Sequence, residues 1–128
     1  MATLSREQLK AKTTRRFVEV PVGDNGDTVR LQSITELEHS RWEAAKYKRI
    51  KQGDTWRIEP AEDAMESAAA RLLAMCVVDD QGQRIFERWQ EAAELDAVVS
   101  NSLYAAARKH CGLDKETDAE KNSDAIPA

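Results

Sequence analysis

The stretch "RRFVEVPVGDNGDTVRLQSI", Arg15 to Ile34, decides how the fold is read. Two runs rich in β-favouring residues flank Asn25 and Gly26, a pair suited to the centre of a type I′ turn, where both residues need positive φ. A two-residue turn there sets Asp24 opposite Asp27, Val22 opposite Val29 and Val20 opposite Leu31. Val20, Val22, Val29 and Leu31 then share one face that wants a core, with Glu19, Pro21, Arg30 and Gln32 on the other. Pro21 cannot donate to a ladder, so its strand is an edge or carries the proline on its unpaired side, and Thr28 to Gln32 is left open to a further strand. A lone hairpin is marginal in water, so this one has to lie on helices.

Outward from the hairpin the chain reads as helix. In "LSREQL", Ser5 is an N-cap with Gln8 as its capping-box partner, and Leu4 and Leu9 hold the positions of a hydrophobic staple. That helix has little apolar face beyond Leu9 and Ala11, so it must dock or fray. "SITELEHSRWEAAKYKRI" reads as a second helix, capped by Ser33 with Glu36 or by Thr35 with Glu38, and "KQGDTWRIEP" as a loop. In "AEDAMESAAARLLAMCVV", Met65, Ala68, Ala69, Leu72, Met75 and Cys76 recur at helical spacing, which makes it the core helix that the valine face should cover. "VVDDQGQRIF" reads either as a short hairpin or as an extended connection. "WQEAAELDAVVSNSLYAAARKHCG" reads as one last helix, ended by Gly112. The expectation is an α+β fold: a mostly helical single domain over residues 1–113, with about four helices and one N-terminal antiparallel hairpin, then a disordered polar tail over residues 114–128.

A chain of 128 residues can bury one core. Apolar residues make up 41% but aromatics only 5%, and many of the apolar residues are alanines, so helix packing should give modest stability. The 33% of charged residues, with a net charge of −4, excludes a membrane span and any blanket attraction to nucleic acid. Cys76 and Cys111, with no secretory leader, read as reduced thiols of a cytosolic protein.

No residue is assigned to catalysis, a cofactor or a metal. His39 lies on a polar helix face and His110 at a helix end, neither in a nucleophile-and-base constellation, so the chain reads as a non-enzyme. His110, Cys111 and Cys76 lack the short ligand spacing of structural zinc sites, and "GDNGD" and "DDQG" lack the calcium-loop pattern. The stretch "SRWEAAKYKRIKQGDTWR" mixes cations with Trp42, Tyr47 and Trp56, and so supplies the alternative function, a small nucleic-acid-binding protein using Arg41 to Arg57. A solvated helix face with an inward tryptophan accounts for the same residues, and the acidic balance argues against nucleic acid.

The order of segments carries a resemblance. "TLSREQLKAK", the hairpin, "SITELEHSRWEAAK", "AAARLLAMCVVDDQGQRIF" and "ELDAVVSNSLYAAARKHCGL", from about Thr3 to Leu113, together resemble the tail assembly chaperones of tailed bacteriophages and prophages. The segment from Tyr47 to Pro60 departs from the family pattern in being longer, more basic and more aromatic. The resemblance implies a small non-enzymatic protein of the host cytoplasm, absent from the mature virion, that keeps the tape measure protein, and with it the tail tube protein, soluble and competent for assembly. Self-association stays open. Candidate partner-binding residues are Thr28, Arg30 and Gln32, on the strand that could accept an added one, with Trp42, Tyr47 and Trp56. Genes of this family are often read in two frames, and Glu120, Lys121 and Asn122 can be encoded as GAA AAA AAC, whose last seven nucleotides allow a backward slip that appends a second domain.

Overall fold

A computed structural model describes residues 3–114. Helix α1 (Arg6–Lys12) leads to β1 (Phe17–Pro21) and β2 (Thr28–Gln32), then α2 (Glu36–Ala44). A second hairpin follows, β3 (Tyr47–Gln52) and β4 (Thr55–Pro60), and then α3 (Ala64–Cys76) and β5 (Val77–Val78). The chain closes with the one-turn α4 (Trp89–Ala92) and with α5 (Ala97–His110). The fold is α+β, with two small antiparallel sheets of strand order β1-β2-β5 and β3-β4. The tail expectation beyond Asp114, with Glu120, Lys121 and Asn122, lies outside the described residues.

The first hairpin forms, but two residues out of the expected register. Val20 pairs with Val29 and Val18 with Leu31, and Val22 donates to the Asp27 carbonyl at 2.9 Å, closing a four-residue loop. Gly23 and Gly26 take the positive φ values, +75° and +85°, while the Asn25 side-chain oxygen accepts from the Asp27 N–H. Asn25 therefore serves the loop through its amide, not through the left-handed backbone that a type I′ turn needs. A slip of two preserves every side chain's face because strand period is two. Leu31 is fully buried, and Val20, Val22 and Val29 pack half-buried against the core.

Two further expectations change. Both strands of the hairpin lie against α5, where Val22 comes up to Val98, Val99 and Leu103, and β2 also packs on α3. The open edge of β2 is filled from within: Val77 pairs with Leu31 and Val78 with Arg30. The chain leaves α3 directly into extended backbone at Val77, and two buried β-branched side chains complete the edge. Val78 also bridges to Arg84 across a turn fixed by Asp79, whose carboxylate accepts from the N–H groups of Gln81 and Gln83, so "VVDDQGQRIF" is a short hairpin.

The core joins Leu31, Trp42, Leu72, Leu73, Cys76 and Leu103. Of the expected α3 face Leu72 and Cys76 are fully buried and Ala68, Ala69 and Met75 half-buried, while Met65 is 98% exposed; Ser67, Ala70, Leu73 and Ala74 complete the buried side. The last helix is broken after Ala92, and Asp96 restarts it as an N-cap that accepts from the Val98 N–H at 3.0 Å. It ends in a Schellman motif, with Leu113 N–H donating to the Arg108 carbonyl at 2.8 Å and Gly112 at φ +72°. Helix α1 has both halves of its capping box, and none of its residues is buried by the described part of the chain.

Candidate functional site

The segment read as the end of α2 and a loop is a hairpin. Tyr47–Gln52 pairs antiparallel with Thr55–Pro60, and Gly53-Asp54 forms the two-residue turn, with Gly53 at φ +66° and Gln52 opposite Thr55. That dipeptide, followed by the alternation of Trp56, Ile58 and Pro60, was the readable signal. Opposed pairs share a face, so Tyr47, Arg49, Lys51, Trp56, Ile58 and Pro60 stand on one side and Lys48, Ile50, Gln52, Thr55, Arg57 and Glu59 on the other.

The first of these faces is bare. Tyr47, Trp56 and Ile58 are 54%, 56% and 68% exposed, and no residue of either strand is buried. The Arg49 guanidinium lies over the Trp56 ring at 4.7 Å and the Lys51 ammonium at 5.9 Å. On the other face cations are matched by carboxylates, Arg57 by Glu59 and Lys48 by Glu62. The ribbon is rooted where Ala61 donates to the Lys46 carbonyl at 2.8 Å. Three large apolar side chains held together on a solvent-facing ribbon, with an arginine stacked among them, match the residue types that dominate protein interfaces.

The other candidate residues are used internally. Trp42 is buried and donates through Nε1 to the Ala68 carbonyl at 2.8 Å, tying α2 to α3, with the Lys46 ammonium over its ring. It is a core residue, not a partner-binding one. Gln32 is buried and donates to the Met75 carbonyl at 2.8 Å. Arg30 is paired with Glu19 at 2.8 Å and Thr28 donates to the same carboxylate. The pairing of β2 with β5 takes up the Arg30 and Leu31 part of the edge on which strand addition at Thr28, Arg30 and Gln32 rested, leaving exposed Thr28 outside it, and of the six candidates Tyr47 and Trp56 share an exposed surface. Ile58, which the sequence reading passed over, joins them.

Glu38 is a second feature that the sequence showed only as a cap. Its carboxylate, nearly buried, takes the Arg15 guanidinium at 2.9 Å, the Arg84 guanidinium and the Thr35 N–H, joining the segment before β1 to α2 and the turn after β5. Burial works against its ionisation, but the hydrogen bonds from Arg15 and Thr35 and the two positive charges outweigh it and hold its carboxyl below the usual range. His110 exchanges hydrogen bonds with Arg16, and His39 stands by Glu43 at 3.8 Å. Among the described residues no three His, Cys, Asp or Glu side chains come together as a metal site, and no helix is long and apolar enough to cross a membrane. Comparison of the chain with protein-family models, with curated proteins and with solved structures gives no match.

Proposed function

We propose that the protein is a non-catalytic binding protein of the tail assembly chaperone type, which holds the tape measure protein, and with it the tail tube protein, in a soluble state in the host cytoplasm. The bare Tyr47–Trp56–Ile58 face carries the reading, because a chaperone for a long self-associating helical protein has to offer apolar surface and give it up again. The partner's identity rests on the resemblance from Thr3 to Leu113. The nucleic-acid reading draws on the same ribbon, through Arg49 and Lys51 beside Trp56. Against it, Arg49 already stacks on the ring that a base would need, and Lys48 and Arg57 are neutralised.

The test is co-expression with the tail proteins of the same genome. The expected result is a tape measure protein that stays soluble and co-purifies with this chain, and a Trp56→Ser/Ile58→Ser variant that folds but loses it. Failure to solubilise any tail protein of its own genome overturns the reading. Retention of short DNA or RNA at low salt, lost steeply as salt rises, would favour the alternative.

A further inference from the structure

Cys76 ends α3 and Cys111 caps α5; 35 positions separate them, yet their sulfurs stand 3.7 Å apart. Cys76 is sealed at 0% exposure. Cys111 is half-buried and lines an open cleft of about 510 Å3 between α2 and the end of α5, so it is the sulfur of the pair that a small solute reaches. The hydrogen bond from Cys76 pulls the Cys111 thiol down to about 7; burial opposes this, and the Ile34 N–H and the Arg16 charge assist it. The same hydrogen bond, with burial, pushes the Cys76 thiol up. The reachable sulfur is therefore also the one whose ionisation its surroundings favour.

We propose that Cys76 and Cys111 form a reversible dithiol–disulfide site, in which Cys111 attacks an external low-molecular-weight disulfide and Cys76 resolves the mixed disulfide. In the first step the Cys111 thiolate bonds to one sulfur of the reagent, whose S–S bond breaks, and the other sulfur leaves as thiolate with the bonding electron pair. In the second, Cys76 gives up its proton and bonds to Cys111 Sγ, expelling the remaining reagent thiolate. The protein dithiol is oxidised to a disulfide, and the reagent is reduced to two thiols that take up the two protons. Closing from 3.7 Å to the bonded distance of about 2.05 Å needs a small shift. Cys111 can supply it, since it sits at the end of a helix beside Gly112. The bond would staple the end of α3 to the end of α5. The site does not depend on the partner reading.

The reduced full chain is incubated with oxidised glutathione without denaturant, and its intact mass, its thiol content after unfolding and its melting temperature are followed. The expected product has lost both thiols and two hydrogens, retains no glutathione, melts at a higher temperature, and reverts with dithiothreitol. Cys76→Ser should stop with one glutathione attached. Cys111→Ser should react at least about tenfold more slowly, because the remaining thiol is buried and protonated. Wild-type protein that keeps its thiols, or that stops as a glutathione adduct, overturns the proposal, as does Cys111→Ser reacting at the wild-type rate. Should either variant fail to fold, peptide mapping of the first wild-type adduct decides: glutathione on Cys111 supports the order of attack, and glutathione on Cys76 overturns it.

Discussion

At the residue scale Glu38 shows how much one side chain can do outside any motif. The sequence marks it as the far end of a capping box with Thr35, and that box forms. Nothing local marks Arg15 and Arg84 as its other partners, which lie 23 and 46 positions away, one just before β1 and the other beyond β5. Glu38→Gln keeps the shape and removes the charge, and both arginines are exposed enough to be re-solvated, so the expected cost is about 1–2 kcal/mol in urea unfolding. The same carboxyl sets an acid limit. Its folded value lies below the ordinary 4.5, so its contribution is fully present above that value and is lost as pH falls through the lower folded one. Melting temperature should therefore drop more steeply in wild type than in Glu38→Gln below about pH 4.5; parallel curves would remove Glu38 from that role.

At the element scale the most informative position is β2, because the structure makes it the centre of a sheet rather than a free edge. The face assignment was legible in the alternation of valines, and it survived a register error since the slip was even. The two-residue contribution of β5 was not legible, because a Val-Val pair at the end of an apolar helix has no period of its own. Leu31→Asp would place a carboxylate at a fully buried site on the central strand and should cost about 3–5 kcal/mol or prevent folding. Val20→Asp, half-buried on the edge strand, should cost about 1–3 kcal/mol. Arg30→Glu faces Glu19 across the ladder and should lose only about 1 kcal/mol. Thermal melts of the three variants check the order, and a Leu31→Asp protein as stable as Arg30→Glu would contradict the central strand.

At the scale of the whole molecule the chain divides its work between a frame and a ribbon. The segments quoted for the resemblance supply the frame of β1-β2-β5 with α2, α3 and α5, and much of it was readable: caps at Ser5 and Thr35, the apolar run of α3, the glycine that ends α5. The ribbon was not read, because its cations and aromatics fit a helix surface as well as a strand face, and only Gly53-Asp54 distinguishes them. Tyr47 to Pro60 lies between Lys46 and Ala61, whose backbones are already hydrogen-bonded at 2.8 Å. A short glycine linker can therefore bridge the gap without moving either end. None of the excised side chains belongs to the core. Replacing residues 47–60 with two glycines should leave far-UV helix content per molecule intact and shift the melting temperature little, by no more than the equivalent of about 1 kcal/mol. The same variant should lose partner solubilisation altogether, since it lacks the exposed Tyr47, Trp56 and Ile58. A variant that unfolds would make the ribbon part of the frame, and one that folds and still holds the partner would move the binding surface to the frame itself.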